Sequence, residues 1–319
     1  MIRYIVTRLR NALTGITLVT LLSGCLSDGS STASSGQLGG VVGSSSTNLV
    51  SGVLMKGPVR QAEIDIYLPN NLNGNLGAHI AGPFLTDANG RWSGSLPLGV
   101  KGIVLVKSSG GHYIDEATGK TVSIGSNVGF ITAADLDASR LVVLSPWSYA
   151  TYLAAKTGIV SDFNTAVGDA IVDATVNLGF NPVTTDVQDP SGPQSGANPQ
   201  QKKYAALIAA FAQLEEEQIN GTRANLAKFS NSNRFELALA LAEDLSNGKL
   251  DGLSADSSTP VFVSTGQGAG NTSQSLPYLN LSGLGMLGLA ADSFVSTHDG
   301  LRGVPAIGTS LTFDIQINN

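Results

Sequence analysis

The three histidines are the first candidates for acid–base or metal chemistry in this chain. His79, His112 and His298 lie far apart, each in a glycine-rich or loop-like stretch. A nucleophilic triad needs a base beside an activated serine, and no Gly-x-Ser-x-Gly turn lies near any of them. A zinc site needs ligands at short spacing, which these residues do not have. We therefore expect no catalytic residues and no zinc site.

Two acidic stretches carry oxygen atoms that could act as bases or ligands. Residues 215–217 are all glutamate, but adjacent helical positions point in different directions, so we expect a solvated helix end. The calcium alternative rests on Asp244, Asn247 and Asp251 in a glycine-containing loop. This spacing departs from the EF-hand because a distal glutamate is missing, and a helix end at the Asn-Gly pair explains the same residues. We expect no resident metal or cofactor, with calcium at these three residues as the alternative.

Aromatic residues provide a possible sugar-stacking surface. Trp92, Tyr113, Trp147 and Tyr152 are the candidates, but aromatic residues make up only 6% of the chain. Most of them are therefore needed as core anchors. Binding of a polysaccharide stays an alternative.

The only cysteine, Cys25, directly follows a short apolar run. Arg3, Arg8 and Arg10 precede that run without any acid, an arrangement typical of a signal peptide. The run at residues 16–22 is far shorter than the roughly 20 residues that a membrane-spanning helix needs. One alternative is a buried free cysteine in an N-terminal helix. The glycines and threonines around it make such a helix a poor one.

The residues Leu22-Ser23-Gly24-Cys25 resemble the lipobox of bacterial lipoproteins. The resemblance implies that residues 1–24 are a cleaved signal peptide. It also implies that the Cys25 sulfur carries diacylglycerol and that the new N-terminus is acylated, as with palmitate. Leu26 stands where an aspartate would retain an enterobacterial lipoprotein in the inner membrane. By that resemblance we expect the outer membrane, with the protein facing the periplasm or the cell surface.

Charge and composition limit the partners of the mature chain. Loss of residues 1–24 reduces the 18 basic residues to 15 against 24 acidic ones, so the net charge changes from −6 to about −9. An acidic chain without a basic patch argues against nucleic acid and against electrostatic binding to anionic lipid. Residues 25–48 comprise the lipidated cysteine and a Ser/Gly-rich stretch that predicts a disordered tether.

Short β-rich runs separated by turn residues begin at Leu49. Residues 63–68 alternate strictly between apolar and polar, residues 87–90 form a hairpin-type turn signal, and residues 102–107 predict a central strand. Turn spacing of about 8–12 residues is typical of an antiparallel sandwich. We therefore predict an N-terminal β-sandwich over residues 49–144.

Two turn motifs in this region resemble the carboxypeptidase-regulatory-like domain. They are Gly-Pro-Val-x-x-Ala, starting at Gly57, and Thr-Asp-x-x-Gly, starting at Thr86. The resemblance implies a transthyretin-like, Ig-like sandwich of seven strands without catalysis of its own. Residues 110–119 and 244–252 further resemble segments of uncharacterised proteobacterial envelope lipoproteins that carry this domain.

Helix signals dominate residues 145–255. Ser145 and Pro146 predict a helix start, and Gly158 and Gly179 predict helix ends. Apolar residues recur every three or four positions along three stripes, which are Phe163 to Leu178, Tyr204 to Leu214, and Phe235 to Leu245. Asn233 and Glu236 resemble a capping box. Amphipathic helices in succession have to bury these stripes on one another, which predicts a small bundle.

The last region, residues 256–319, reads as β and loop structure packed on the helices. Residues 311–318 alternate between apolar and polar and predict a terminal strand, with residues 260–263 and 276–281 as candidate partners. The predicted fold is α+β, a sandwich followed by a mainly helical domain with terminal strands. The predicted function is a non-catalytic structural or interaction role, with an unknown envelope protein or polysaccharide as partner. A ligand-binding module for polysaccharide or peptide, or an enzyme with an unrecognised site, is the alternative.

Overall fold

Strands occupy the first half of the folded chain, and helices follow them. The computed structural model describes residues 48–158, 162–220, 233–265, 272–275 and 283–313. These residues form eleven strands: β1 (Leu49–Leu54), β2 (Glu63–Pro69), β3 (Leu76–Leu85), β4 (Arg91–Ser95), β5 (Ile103–Ser109), β6 (His112–Ile114), β7 (Thr121–Ser123), β8 (Ile131–Asp135), β9 (Leu141–Leu144), β10 (Phe262–Thr265) and β11 (Thr272–Ser275). They also form five α-helices: α1 (Pro146–Thr157), α2 (Phe163–Leu178), α3 (Pro199–Asn220), α4 (Arg234–Leu245) and α5 (Gly283–Thr297). The predicted α+β class is confirmed.

Two sheets make up most of the β structure. A three-stranded sheet has the order β4-β1-β9, and a four-stranded sheet has the order β3-β2-β5-β8. Strand β5 is internal, as its apolar sequence predicts. Side chains from both sheets share one buried cluster, which includes Val50, Leu54, Ile64, Ile66, Trp92, Val104 and Val106. The remaining pairs, β6-β7 and β10-β11, are antiparallel.

The pairing differs from the sequence-based expectation at two places. Strand β1 pairs with β9 in parallel, so the three-stranded sheet is mixed rather than antiparallel. The expected turn at residues 87–90 does form, with Asp87 N donating to Arg91 O. It does not close a hairpin, because β3 pairs with β2 and β4 pairs with β1. The turn instead connects the two sheets.

Local capping signals set the helix ends. Ser145 caps α1 in a reciprocal capping box with Ser148, and Pro146 is the first helical residue. Gly179 ends α2 in the left-handed conformation, with φ +77°. The side chain of Asn233 accepts a hydrogen bond from Phe235 N at the start of α4. These boundaries agree with those expected from the sequence.

Buried aromatic side chains fasten the helices to one another. Trp147 on α1 donates its ring N–H to Leu207 O on α3 at 2.9 Å. Its ring also makes edge contacts with Phe211 and Phe313 at centroid distances of 5.6 and 5.4 Å. Tyr204 donates to Pro182 O at 2.5 Å, so α3 also holds the loop that precedes it. The stripe on α3 faces a core that also contains the C-terminal part of the α2 stripe and most of the α4 stripe, whereas Phe163, Val167 and Ala170 of α2 pack in a separate cluster.

Helix α5 contradicts the expectation of strands and loops after residue 255. Its glycines lower helix propensity by about 1 kcal/mol each, which is why the sequence did not predict a helix. Gly288 has a packing role, since a Cβ there would lie 1.9 Å from Gly308 O. Asp292 accepts hydrogen bonds from Ile307 N and Gly308 N. The turn at Ile307 and Gly308 thus approaches α5 so closely that position 288 of the helix needs a glycine.

The expected terminal strand does not begin at Leu311. Residues 311–313 have no strand assignment and Phe313 is buried, while residues 314–319 lie outside the described part of the chain. Strand β10 overlaps the candidate at 260–263, whereas the candidate at 276–281 also lies outside the described residues.

Sheets and helices share their cores. The described residues from Asn48 onward belong to one compact unit, and α1 begins directly after β9. Val53 and Val143 on the sheet belong to the helical core, whereas Phe235 on α4 belongs to the sheet core. The division at residues 144 and 255 stays a prediction, but the described parts are not separated by a linker.

We expect Phe235→Ala to destabilise the protein by about 3–5 kcal/mol, since it removes a fully buried ring. That ring lies 4.7 Å from Phe130 and 6.1 Å from Tyr113, centroid to centroid. Chemical denaturation followed by circular dichroism would measure the loss, and sheets and helices should unfold in one transition. Val172→Ala on the exposed face of α2 is the control and should change stability by less than about 0.5 kcal/mol. Two separate transitions would contradict the shared core.

Candidate functional site

The most unusual feature of the described chain is a group of charged side chains buried between the strands and the helices. We call it the charge cluster, and its members are Lys56, Asp115, Glu116, Glu215 and Arg234. The side chains of all but Arg234 are fully buried, and that of Arg234 is 17% exposed. Charged residues are rarely buried this completely unless they are paired.

A tight turn after β1 positions Lys56. The turn needs a glycine at position 57, because its φ is +63° and a Cβ there would lie 2.4 Å from Ile114 O. Gly57 N donates to Glu116 Oε1 at 2.6 Å, which fastens this turn to the segment after β6. Asp115 is held by Thr118, whose N–H and hydroxyl both donate to Asp115 Oδ1. The two turns therefore bring a lysine against two carboxylates.

Helices α3 and α4 complete the charge cluster. Lys56 Nζ lies 3.5 Å from Glu116 Oε2, 3.8 Å from Asp115 Oδ2 and 3.9 Å from Glu215 Oε1. Arg234 Nη1 lies 3.9 Å from both Asp115 Oδ1 and Glu215 Oε2. Except for Asp115 Oδ1, which Thr118 binds, these facing atoms have no hydrogen-bond partner within the described chain. The attraction among them is therefore Coulombic, without direct hydrogen bonds.

Burial and neighbouring charge shift the protonation of this cluster. Burial raises the pKa of Glu215 to about 8 despite the opposing charge of Lys56, and it also raises the pKa of Glu116. Burial acts to lower the pKa of Lys56, but the nearby carboxylates outweigh it and raise that pKa above its usual value. Glu215 therefore carries a proton at neutral pH.

This arrangement is better suited to holding the fold than to chemistry. A general acid or base has to reach the proton that it transfers, and Glu215 is shielded from solvent. A nucleophilic lysine has to lose its proton, whereas the raised pKa of Lys56 keeps it charged. The cluster joins the turn after β1, the segment after β6, and helices α3 and α4.

The expectation of a solvated helix end at residues 215–217 is wrong for Glu215. It follows Ile208 by seven residues and Phe211 by four, so it lies on the apolar face of α3. Extending that stripe by one turn would have indicated its burial. Glu216 does meet solvent and pairs with Arg234. Lys56, Asp115 and Glu116 lie within or beside the motifs that carry the family resemblance, but their types alone indicated no pairing.

The calcium candidates lie together in the loop after α4. Asp244 Oδ1 accepts hydrogen bonds from Asp251 N and Gly252 N, at 2.9 and 2.8 Å. Asn247 Nδ2 donates to Asp251 Oδ1 and to Leu253 O, at 3.3 and 3.2 Å. Burial raises the pKa of Asp244 to about 8, so it is uncharged at neutral pH. These bonds account for the loop by themselves, and calcium binding stays a prediction.

The structure buries the aromatic residues that could have stacked on sugars. Tyr113 and Trp147 are fully buried, and Trp92 and Tyr152 are nearly so. These four side chains are core anchors, so a sugar-stacking surface built from them is wrong.

The histidines serve local roles. His79 pairs with Asp65 at 2.8 Å, and His298 stacks on Phe294 with centroids 3.7 Å apart. In the described part of the chain, no three His, Cys, Asp or Glu side chains are grouped to hold a metal.

The predicted lipidation site lies outside the described residues. Leu22, Ser23, Gly24 and Cys25 all precede Asn48, the first residue that the structure describes. Among the helices that it does describe, none is long and apolar enough to cross a bilayer. No protein-family model, curated protein or solved structure matches the chain.

We expect Glu215→Gln to weaken the pH dependence of stability. The pKa of Glu215 is about 8 in the folded protein against an ordinary value of 4.5, so the unfolded chain releases this proton first as pH rises. The contribution of protonated Glu215 to the free energy of unfolding is therefore fully present below pH 4.5, and it is lost as the pH rises through about 8. Each unit of that difference corresponds to about 1.4 kcal/mol, and the glutamine variant removes this loss.

Urea unfolding at pH 5, 7 and 9 would test this. The free energy of unfolding should fall less steeply with rising pH in Glu215→Gln than in the wild type. Part of this pH dependence should remain, because burial also raises the pKa of Asp244. Glu63→Gln on the exposed side of β2 is the control and should leave the slope unchanged. Equal slopes for Glu215→Gln and wild type would show that Glu215 does not hold this proton.

Proposed function

We propose that this chain is a lipid-anchored protein of the bacterial cell envelope with a structural or interaction role. The observation that carries the proposal is the sequence Leu22-Ser23-Gly24-Cys25, which precedes the first described residue, Asn48. Diacylglycerol on Cys25 and an acyl chain on its amino group would together supply the two lipid signals that stable anchoring requires. Leu26 favours the outer membrane, with the folded part facing the periplasm or the cell surface.

The proposed absence of catalysis is supported by the closure of the charge cluster. It groups more ionisable side chains than the histidine and aspartate sites described above, and it has no solvent-exposed carboxylate facing Lys56. Groups with perturbed pKa values often mark active sites, but structural ion pairs perturb them as well. Here the groups lie at the junction of four chain segments, which favours the structural explanation.

We also infer that residues 49–144 form a transthyretin-like sandwich of the carboxypeptidase-regulatory-like type. Strands β1 to β5 with β8 and β9 make seven strands, arranged as sheets of three and four. The two turn motifs that suggested the resemblance lie at the turn after β1 and at the turn between the sheets. The parallel β1-β9 pair brings the beginning and the end of this region together.

Binding of a surface ligand is the second candidate, and one groove favours it. The groove has a volume of about 640 Å³ and is lined by Ser191–Ser195 and Thr297–Gly300. Gln194 Oε1 is buried beside it without a hydrogen-bond partner among the described residues. An unknown envelope protein, a peptide or a polysaccharide would be the partner. Specific signal on a glycan array, lost on Gln194→Ala, would favour this candidate.

We expect Cys25→Ala to abolish both lipid attachment and membrane association. The substitution removes the sulfur that would carry the diacylglycerol, and the tether region has no basic run to replace it. Incorporation of labelled palmitate and fractionation of envelopes would measure the two effects. Ser27→Ala, two residues after the cysteine, is the matched control and should behave as the wild type. Unchanged partitioning of Cys25→Ala would refute the lipid anchor.

A further inference from the structure

The two most exposed large apolar side chains of the described chain are leucines on loops. Leu72 is 87% exposed between β2 and β3, and Leu98 is 80% exposed between β4 and β5. Open space borders the chain next to Leu98, because a Cβ built on Gly99 would meet no atom within 4 Å. Neither leucine contributes to a core cluster.

Strand register places both loops at one end of the sheets. Pro69 pairs with Leu76, so the loop that carries Leu72 leaves the four-stranded sheet at this end. Tyr67 pairs with Leu105, which brings the start of β5 beside the end of β2. The loop that carries Leu98 leads directly into that start. The two leucines therefore lie on neighbouring loops.

The chain from Cys25 enters the fold at this same end. Leu49, the first residue of β1, pairs with Ser95, the last residue of β4. Asn48 Nδ2 donates to Pro97 O at 2.9 Å, and Leu96 N donates to Asn48 O at 3.0 Å. Leu49 is exposed as well. The exposed leucines thus surround the point at which residues 26–47 connect the fold to the proposed anchor.

We propose that this end of the fold contacts the bilayer surface, with Leu72 and Leu98 inserted among the lipid headgroups. The inference rests on the proposed lipid anchor at Cys25, which brings this end toward the membrane. Exposed apolar side chains grouped on one surface mark contact with a protein or a membrane, and here the entry point of the anchored chain selects the membrane. The contact would fix the orientation of the folded unit on the bilayer, and the end of α1 and the start of α2 would lie on the same side, since Tyr152 donates to Gly74 O and Phe163 N donates to Asn71 O in the Leu72 loop.

The charges at this end favour an apolar contact over an electrostatic one. Lys101 is the basic residue of the Leu98 loop, and Asp137 accepts a hydrogen bond from Gly102 N beside it. Asp137 lies on the neighbouring turn between β8 and β9, and its sign is opposite to that of Lys101, so this pair gives no preference for anionic lipid. Zwitterionic phospholipid should therefore be sufficient for the contact.

Single-cysteine labelling of the full lipidated chain would test the contact. Cys25 is the only cysteine and its sulfur would be blocked by lipid, so an introduced cysteine is the only reactive thiol. The test variants are Leu72→Cys and Leu98→Cys, each carrying a polarity-sensitive fluorophore. The controls are Leu85→Cys and Val176→Cys, since these side chains are 67% and 77% exposed. Leu85 lies at the opposite end of β3, about 30 Å along the strand from Leu76. Val176 lies about 20 Å along α2 from Phe163, whose N–H donates to Asn71 O in the Leu72 loop.

The labelled proteins would be reconstituted in phosphatidylcholine vesicles that contain lipid spin-labelled near the headgroup. We expect fluorophores at positions 72 and 98 to be quenched and shifted to shorter wavelength, and those at 85 and 176 to be unaffected. Thermal melting of each variant would show that the fold is retained. The double variant Leu72→Ser/Leu98→Ser, without any fluorophore, should remain membrane-bound but lose protection of this end against added protease.

The outcomes separate this inference from the lipid anchor. If all four labelled proteins float with the vesicles and are quenched equally, or not at all, the oriented contact is refuted and the anchor stands. If Cys25→Ala floats as well as the wild type, the anchor itself is refuted. Protection of positions 72 and 98 from an aqueous quencher in native envelopes, without quenching by spin-labelled lipid, would assign this end to a protein partner and refute the membrane contact.

Discussion

An ammonium group that is shielded from water has to be neutralised by the protein, and this requirement joins the strands to the helices. Lys56 follows the first strand and is fully buried. The acidic side chains around it are Asp115 and Glu116, from the segment after β6, and Glu215, from α3. A lysine charge can remain in this position only when all of these segments are in place. The charge cluster is therefore a consequence of the complete fold and also a condition for it.

The cluster specifies the arrangement more than it adds stability. Replacement of buried ion pairs by apolar residues of similar size is often neutral or stabilising, whereas an unpaired buried charge is costly. An alternative packing of the segment after β6 would take Asp115 and Glu116 away from Lys56 and leave its charge uncompensated. The stabilising contribution comes instead from aromatic contacts beside the cluster, where Phe235 packs on Phe130 and Tyr113. With a single cysteine in the chain, no intrachain disulfide can contribute.

The described surface, not the buried charge cluster, offers the groups that could contact other molecules. The largest collection of ionisable groups is closed inside the fold, so contacts with other molecules would use exposed loops and grooves. Leu72 and Leu98 are exposed at the end where the chain enters, while the groove beside Gln194 lies between the loop before α3 and the end of α5. The lipid anchor proposed at Cys25 would hold these surfaces close to a membrane.

Local signals in the sequence determined much of the secondary structure. Ser145 with Pro146, Gly179 and Asn233 set helix ends, because capping and left-handed glycine depend only on neighbouring residues. The lipobox resemblance at Cys25 is likewise a local pattern. The tertiary structure alone decided the parallel pairing of β1 with β9, the helix at α5 and the burial of Glu215. These depend on residues that are distant in the chain: Gly288 is explained only by the approach of Gly308, and the charge of Lys56 only by carboxylates that folding brings to it.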